Sequence, residues 1–315
     1  MTVDLVTVGR VSVDLYAQEI GASFADPQTF SKSVGGSPTN VAVAAARYGH
    51  TVSAFTGVGD DALGEYVCAR LRGWGVQTDH ILRVSGAPTP VVLAALDPPE
   101  DPTIVFYRGD AAPDTRLGRS PETDALVRDA RIFWMSQSAL AQGQTAVSSR
   151  EWMQLRGRRE HTILDLDYRP SMWTDISASR AAAQDAIAHA TVVVGNRDEC
   201  AMALGESEPD AAADSLLERG VHLAIVKMGG GGVLLATGTE RLRVSPVPID
   251  VLCGLGAGDA FGGALVHGLL LGWSLREIGE FANAAGAYVA TQLTCADAMP
   301  TARQVEELRT RAVVS

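Results

Sequence analysis

Late in the chain three small residues precede one acid: Gly256, Ala257 and Gly258, then Asp259, with an apolar run from Ala260 directly after. A helix that starts here exposes backbone N–H groups that lack intrahelical partners and carries partial positive charge. Small side chains let those groups approach a phosphate closely. An acid beside such a cradle is badly placed to hold phosphate, because like charges repel. It is well placed to take a proton from a hydroxyl attacking that phosphate. The stretch points to phosphoryl transfer to an alcohol, with Asp259 as a plain helix cap the competing reading.

Four other groups of residues could complete such a site. In Gly35-Gly36-Ser37-Pro38-Thr39-Asn40 the glycines either form a turn or let a polyol lie against the backbone. Asn40 can donate to and accept from hydroxyls, and Asp14, on an extended segment upstream, can accept two hydroxyl hydrogens. Asn196-Arg197-Asp198-Glu199 follows a β-branched run. Asn196 with Glu199 three residues on is nearly a capping box. Alternatively both stand at the carboxyl end of a parallel strand, where open α/β sheets bind ligands, and Glu199 holds magnesium through water. Lys227 and Gly229 sit at a strand end where a nucleotide could lie, while Gly230 and Gly231 read as a hairpin turn. A strand ending near Asp165 leaves Arg169 in the next loop, and Arg108 ends another extended segment. Two arginines reaching one pocket suit a carboxylate, whose geometry matches the guanidinium fork.

The elements that position these residues alternate. Leu5–Gly9 reads as a strand, Ser37–Tyr48 as a helix capped by Ser37 with Pro38 in its first turn, Thr51–Val58 as a strand and Asp60–Leu71 as a helix. Strands at Ile132–Met135, Thr162–Leu166 and Thr191–Val194 are separated by helices at Thr145–Arg156 and Ala178–Ala188. After His222 come a strand, the glycine turn and two more strands, then helices at Ala257–Leu271, Leu275–Leu293 and Thr301–Arg311. Repeated strand–helix units imply a parallel sheet with helices on both faces. Segments 11–34 and 90–108 are extended and carry no helix, with Pro98, Pro99 and Pro102 marking a turn in the second. They form either edge hairpins or a small separate sheet able to act as a lid. With no repeat and no linker, 1–315 reads as one domain.

Composition narrows the function. Apolar residues are 46% and charged residues 20% of the 315, and 26 Lys plus Arg against 37 Asp plus Glu leave a net charge of −11. That balance disfavours nucleic acid and anionic membranes as partners, so an anionic substrate must meet local arginines. Cys68, Cys200, Cys253 and Cys295 contain no CxxC pair, which argues against a zinc site or disulfide framework. The start, Met-Thr-Val-Asp-Leu-Val, has no basic n-region, and the apolar run near Ala260–Trp273 is too short to span a bilayer; the expectation is a cytoplasmic protein. No GxxxxGK[ST] and no HRD or DFG triplet occurs, and Gly254-Leu255-Gly256 has Asp259 where a dinucleotide fingerprint needs glycine.

Together these segments resemble the ribokinase-like (PfkB) family of carbohydrate kinases, from Gly9 to Pro300. Gly35, Gly36, Asn40, Ala42, Gly49 and Gly59 meet its amino-terminal signature. Gly256-Ala257-Gly258-Asp259 with Gly263 and Ala264 meet the carboxy-terminal one, and Asn196-x-x-Glu199 is similar to its magnesium and phosphate motif. The resemblance implies an α/β fold, a three-layer αβα sandwich with a mostly parallel central sheet and a small β-sheet lid. It implies ATP and Mg2+ as cofactors, Asp259 as catalytic base and the N–H groups of Gly256, Ala257 and Gly258 as anion hole. Asp14, Gly35, Gly36 and Asn40 would contact the sugar, Asn196, Lys227, Gly229 and Asn283 the nucleotide, and Glu199 the metal.

A finer resemblance is carried by Gly9-Arg-Val-Ser-Val-Asp14-Leu-Tyr, Leu166-Asp-Tyr-Arg169-Pro-Ser-Met-Trp173 and Cys295-Ala-Asp-Ala-Met-Pro300. It falls on the family's kinases of keto sugar acids, that of myo-inositol breakdown first. Arg108 and Arg169 match positions that related 2-keto-3-deoxygluconate kinases use for such acids. Those kinases and fructokinases are the neighbouring alternatives, and a non-catalytic sugar-binding regulator is the alternative of another class. A nucleoside kinase would need stacking aromatics in the lid, for which Tyr16, Phe24 and Phe106 are available. Many members carry Asp-Thr-x before the Gly-Ala-Gly-Asp core, where the acid helps bind a monovalent cation. Here Cys253-Gly254-Leu255 stand there, and a thiol is a poor ligand for potassium, which puts potassium activation in doubt. An exposed lid edge could pair with a second copy, giving a homodimer.

Overall fold

The computed structural model describes residues 3–314. In chain order it begins with β1 (Leu5–Val8), β2 (Ser12–Ala17), β3 (Phe30–Gly35), α1 (Ser37–Arg47), β4 (Val52–Gly59), α2 (Ala62–Gly73), β5 (Val76–Gln77) and β6 (Ile81–Val84). It continues with β7 (Val91–Ala95), β8 (Thr103–Tyr107), α3 (Pro121–Asp129), β9 (Ile132–Ser136), α4 (Gly143–Arg156), β10 (Thr162–Asp165), α5 (Ile176–Ile187) and β11 (Val192–Asn196). The last third holds α6 (Arg197–Leu204), α7 (Pro209–Glu218), β12 (Leu223–Lys227), β13 (Val233–Ala236), β14 (Arg241–Val244), α8 (Ala257–Leu271), α9 (Leu275–Ala290) and α10 (Ala302–Val314).

The β-branched runs are buried on both faces, as a parallel sheet covered by helices requires. The main sheet runs β14-β13-β12-β11-β10-β9-β1-β4-β5, with β6 also on β4. It is parallel from β12 to β5, and only β13 and β14 run antiparallel. Leu5 of β1 lies in register between Val52 and Ile132. Side chains alternate across the sheet with period two. Leu5, Ile132, Ile163, Val192 and Ile225 pack with α1, α2, α8, α9 and α10. Val6, Phe133, Leu164, Val193 and Ala224 pack with α3 to α7. The result is three layers. Trp134 and Trp152 are fully buried, one in each apolar layer. Burying an apolar side chain of Val to Phe size contributes about 1.5–3 kcal/mol.

The two segments without helices form a separate four-stranded sheet, β3-β2-β7-β8. Asp14, Val92 and Phe106 share one of its faces, because Asp14 pairs with Val92 and Val92 with Phe106. Its hairpin tip is tied to the loop before α8, where the Gly254 amide donates to the Pro99 carbonyl at 2.8 Å.

Several boundaries differ from the sequence expectation. Ser37 does not cap α1; Gly36 does, at φ +105°, and Ser37 is already helical. The reason is steric: a Cβ at position 36 would collide with the Arg10 carbonyl, so only glycine turns the chain there. The Ser37 hydroxyl instead reaches Asp165 at 3.5 Å. Helix α9 ends at Ala290, not at residue 293, with Thr291 as its C-cap. Among the described residues no helix is long and apolar enough to cross a membrane.

Candidate active site

Close helix packing brings the first two candidate residues together. Helices α1 and α8 pack at Gly262 and Gly263, where added methyl groups would collide with Trp134 and Ala44. This approach sets the first turn of α1 against the first turn of α8. There the Asn40 amide donates to Asp259 Oδ2 at 2.7 Å. The N-cap of α8 is Gly256, in the left-handed region at φ +80°, and no side chain caps the helix. Asp259 is its third residue, and its carboxylate faces Asn40 across the helix–helix contact. The cap-only reading of Asp259 therefore does not hold. Burial pushes the Asp259 carboxyl up from its usual range, against the hydrogen bond from Asn40. The Asn40 side-chain oxygen is buried with no partner in the protein, so an acceptor is left open beside Asp259.

The small sheet supplies the second part. Asp14 accepts from Ser12 Oγ at 2.6 Å and from the Tyr16 hydroxyl at 3.1 Å. Its carboxylate lies over Gly35, where any Cβ would collide with it. Burial raises its pKa, opposed by Ser12, Arg10 and Tyr16. Tyr16 itself is fully buried, its hydroxyl 2.8 Å from Cys295 Sγ. Phe24 lies with Leu93, Val105 and Tyr107, whereas Phe106 alternates to the opposite face of β8. Tyr16, Phe24 and Phe106 thus form no common stacking surface.

Both arginines singled out in the sequence reach this region, and each already has an internal acid. Arg108 Nη1 donates to both oxygens of Asp114, at 2.6 and 2.5 Å. Arg169 pairs with Asp167 at 3.0 Å. Burial would raise the Asp167 carboxyl, but the charges of Arg169 and Arg10 outweigh it and hold the carboxyl below its usual value. Arg10, two residues past the end of β1, belongs to the same cluster; the sequence places it within the Gly9–Tyr16 stretch but gives it no role. What could have found it is its place one residue after Gly9 at the carboxyl end of a central parallel strand.

Beyond α8 lies a cleft of about 680 Å³ whose walls include Lys227, Gly229, Ala257, Gly258 and Asn283. Pro246, Val247 and Val251 make it apolar on one side, and Ala282, Gly286 and Ala290 line it from α9. The sequence reading missed these residues, although the small side chains recur every four residues on one helix face. Asn283 donates to the carbonyls of Val244 and Ser245, at 3.3 and 2.9 Å, and so holds the wall. Burial works against the charge of Lys227, yet Asp165, Glu199, Asp259 and Asp167 hold its pKa above normal. Asp165 is pushed up to about 7 by burial, with Asp167, Glu199 and Asp259 adding to the rise and Lys227 opposing it.

Asn196 and Glu199 form a complete capping box: Asn196 Oδ1 accepts from the Glu199 amide at 2.8 Å, and Glu199 Oε2 from the Asn196 amide at 2.7 Å. They lie outside the walls of the cleft, although Asn196 is in register with Lys227 on the next strand. The structural and functional readings of this pair are compatible, since Glu199 is buried and keeps one carboxylate oxygen outside the cap.

The chain matches the model of pfkB family carbohydrate kinases over residues 3–302. It is 30% identical over 315 residues to a 5-dehydro-2-deoxygluconokinase of Geobacillus thermodenitrificans (strain NG80-2), covering 96% of this chain and 92% of that protein. The crystal structure of a fructokinase with bound ATP from Xylella fastidiosa aligns with a TM-score of 0.83 and 26% identity, over 98% of each chain. That of a PfkB protein from Polaromonas sp. JS666 aligns with a TM-score of 0.84 and 24% identity, over 97% of this chain and 99% of that one.

Proposed function

The chain belongs to the pfkB family of carbohydrate kinases and is an ATP-dependent sugar kinase; from that premise we propose that it phosphorylates the primary hydroxyl of a keto sugar acid, 5-dehydro-2-deoxy-D-gluconate. The observation that carries the reading is the Asn40–Asp259 pair. It stands between a sugar-facing group (Asp14, Gly35, Gly36, Asn40) and the apolar cleft beside the uncapped start of α8. ATP lies in the cleft, near Lys227, Gly229 and Asn283, with its terminal phosphate against the N–H groups of residues 256–258. The sugar hydroxyl oxygen attacks phosphorus, its proton passes to Asp259, and the bond to the ADP oxygen breaks. The uncapped amides gather the charge that develops on the transferring group.

The donor set fits magnesium. Asp167, Glu199 and Asp259 all raise the pKa of Asp165, which places several hard oxygen donors at the carboxyl end of the central strands. Among the described residues no three potential ligands converge to enclose an ion. The cation would be held near Glu199 through water and the nucleotide phosphates. When bound, magnesium neutralises phosphate charge. The buried thiol of Cys253, its pKa pushed up by burial, offers a monovalent cation no hard oxygen at that position.

The carboxylate of the substrate would enter the arginine cluster that Arg169 and Arg108 help to build, which favours an acid over the neutral hexose of a fructokinase. The small sheet serves as lid within one catalytic domain. Its outward Val105 and Tyr107 are exposed and suit pairing with a second copy. The functional test is a coupled ATP-turnover screen on 5-dehydro-2-deoxygluconate, 2-keto-3-deoxygluconate, fructose and adenosine. The expected result is the highest kcat/KM on the first. A preference for fructose or adenosine overturns the acid reading, and no turnover on any of them favours a sugar-binding regulator.

A further inference from the structure

Three guanidinium groups enter the sugar side of the site, and they are not equivalent. Arg108 has both oxygens of Asp114, and Arg169 has Asp167 at 3.0 Å. Arg10 makes no side-chain hydrogen bond to any described residue; its Nε is buried without a partner, as is that of Arg169, but Arg169 keeps an acid at 3.0 Å and Arg10 does not. The nearest acid, Asp167, is 3.9 Å away and already paired with Arg169. Yet the side chain is only 12% exposed. A buried guanidinium with free donors is costly unless something completes its fork.

The fold holds this arginine in place. Its carbonyl accepts from Thr39 Oγ1 at 3.1 Å and lies against Gly36, the uncapped start of α1. The ring of Phe106, on the cleft face of the small sheet, flanks the guanidinium with its centre 5.6 Å from Cζ. Four acids feel its charge: Asp14, Asp114, Asp167 and Asp259. Two of them are neutralised by the other arginines, and Asp14 and Asp259 are occupied by Ser12, Tyr16 and Asn40. Arg10 is left with an uncompleted fork beside the Phe106 ring, its charge acting on both Asp14 and Asp259. A carboxylate is the ligand that matches two parallel N–H groups.

We propose that Arg10 grips the carboxylate of the sugar acid, and that Arg10, rather than Arg108 or Arg169, sets the preference for an acid over a neutral sugar. This inference rests on the kinase reading above. Arg108 and Arg169 are then positioning residues that neutralise Asp114 and Asp167, so that neither acid captures Arg10.

The test compares wild type, Arg10→Gln and Arg10→Lys on 5-dehydro-2-deoxygluconate and on fructose. Arg10→Gln should lower kcat/KM for the acid by roughly a hundredfold, the scale of truncating a buried charge pair. Its KM for ATP should stay within about threefold of wild type, and its loss on fructose, which reports only the charge that Arg10 lends to Asp14 and Asp259, should be about tenfold smaller than its loss on the acid. Arg10→Lys keeps the charge without the fork and should recover part of the acid activity. A loss shared equally by acid and fructose, or acid kcat/KM within threefold of wild type, overturns the assignment. A melting curve checks folding; if Arg10→Gln does not fold, Arg10→Lys decides, and wild-type acid preference in that variant overturns the assignment. The two readings fail separately. If wild type itself prefers fructose, the acid substrate falls and this inference with it, whereas an acid preference that survives Arg10→Gln defeats this inference alone.

Discussion

The two sides of the cleft are built by opposite means. The sugar side is made of side chains that hold one another: Asp14 with Ser12 and Tyr16, Asn40 with Asp259, Arg108 with Asp114 and Arg169 with Asp167. The nucleotide side is made largely by omission. Gly229, Gly254, Gly258, Ala257, Ala282 and Gly286 leave space, and apolar Pro246, Val247 and Val251 close it. The difference follows from the ligands. Hydroxyls and a carboxylate need donors and acceptors placed one by one. A phosphate chain needs bare amides and a flat ring needs an apolar slot.

The largest expected effect lies on the boundary. Asp259→Asn should lower kcat by roughly 10²–10⁴, the range for loss of a general base, with both KM values little changed. If kcat stayed near normal, Asp259 would be a helix residue and nothing more. If KM for ATP rose instead, the acid would belong to the nucleotide side and the division would break. Next comes a crossed pair of added methyl groups. A Cβ on Gly286 would sit 3.0 Å from the Ala257 carbonyl and so press on the anion hole. Gly286→Ala should raise KM for ATP about tenfold, a shift worth about 1.4 kcal/mol, and leave KM for the sugar alone. Gly35→Ala displaces Asp14 and should do the reverse. Steady-state kinetics with each substrate varied in turn reads both, and a variant that moved both KM values together would erase the contrast.

The same contrast decides what was legible in the sequence. The α/β alternation, the separate small sheet and the Gly256–Asp259 helix start were visible, because period and glycine placement report backbone geometry directly. Asp14, Asn40 and Arg169 were visible because a carboxylate in an extended segment, an amide just after a Gly-Gly turn and an arginine in the loop after a strand stand out among apolar neighbours. Arg10 was not, since a single arginine after a strand is ordinary until its partners are counted. Helices α3 and α7 were missed and α6 was read only as a cap: they are nine, ten and eight residues long, too short for a periodic pattern to stand out. The lining of α9 was missed because alanine and glycine on a buried helix look like packing, and only the cleft shows that one such face is empty. The capping box at Asn196 was read nearly right, but its two uses could not be ranked without seeing that Glu199 is buried.

The smallest effect expected comes from a group that no ligand touches. The Tyr16 hydroxyl has one proton and two neighbours, Asp14 Oδ2 at 3.1 Å and Cys295 Sγ at 2.8 Å. Donation to the carboxylate is the stronger choice, because a bond to a charged acceptor is worth more. Cys295 then donates its S–H to the tyrosine oxygen. Its thiol pKa lies well above normal, from burial first and the nearby charges of Asp14 and Asp259 next, so the proton stays on sulfur. The chain from Cys295 through Tyr16 steadies the ionised form of Asp14. Tyr16→Phe removes one donor to that form, and burial then raises the Asp14 carboxyl further. Asp14 must be ionised to accept two hydroxyl hydrogens from the sugar. The acid limb of kcat/KM for the sugar should therefore move to higher pH, while kcat at saturating sugar changes by only about threefold, the scale of one ordinary hydrogen bond. A pH profile of wild type and Tyr16→Phe reads it. If the limb moved for ATP instead, or stayed in place while kcat fell, Asp14 would not be the acid that receives the sugar, and the sugar side would lose the residue on which its contrast with the nucleotide side is built.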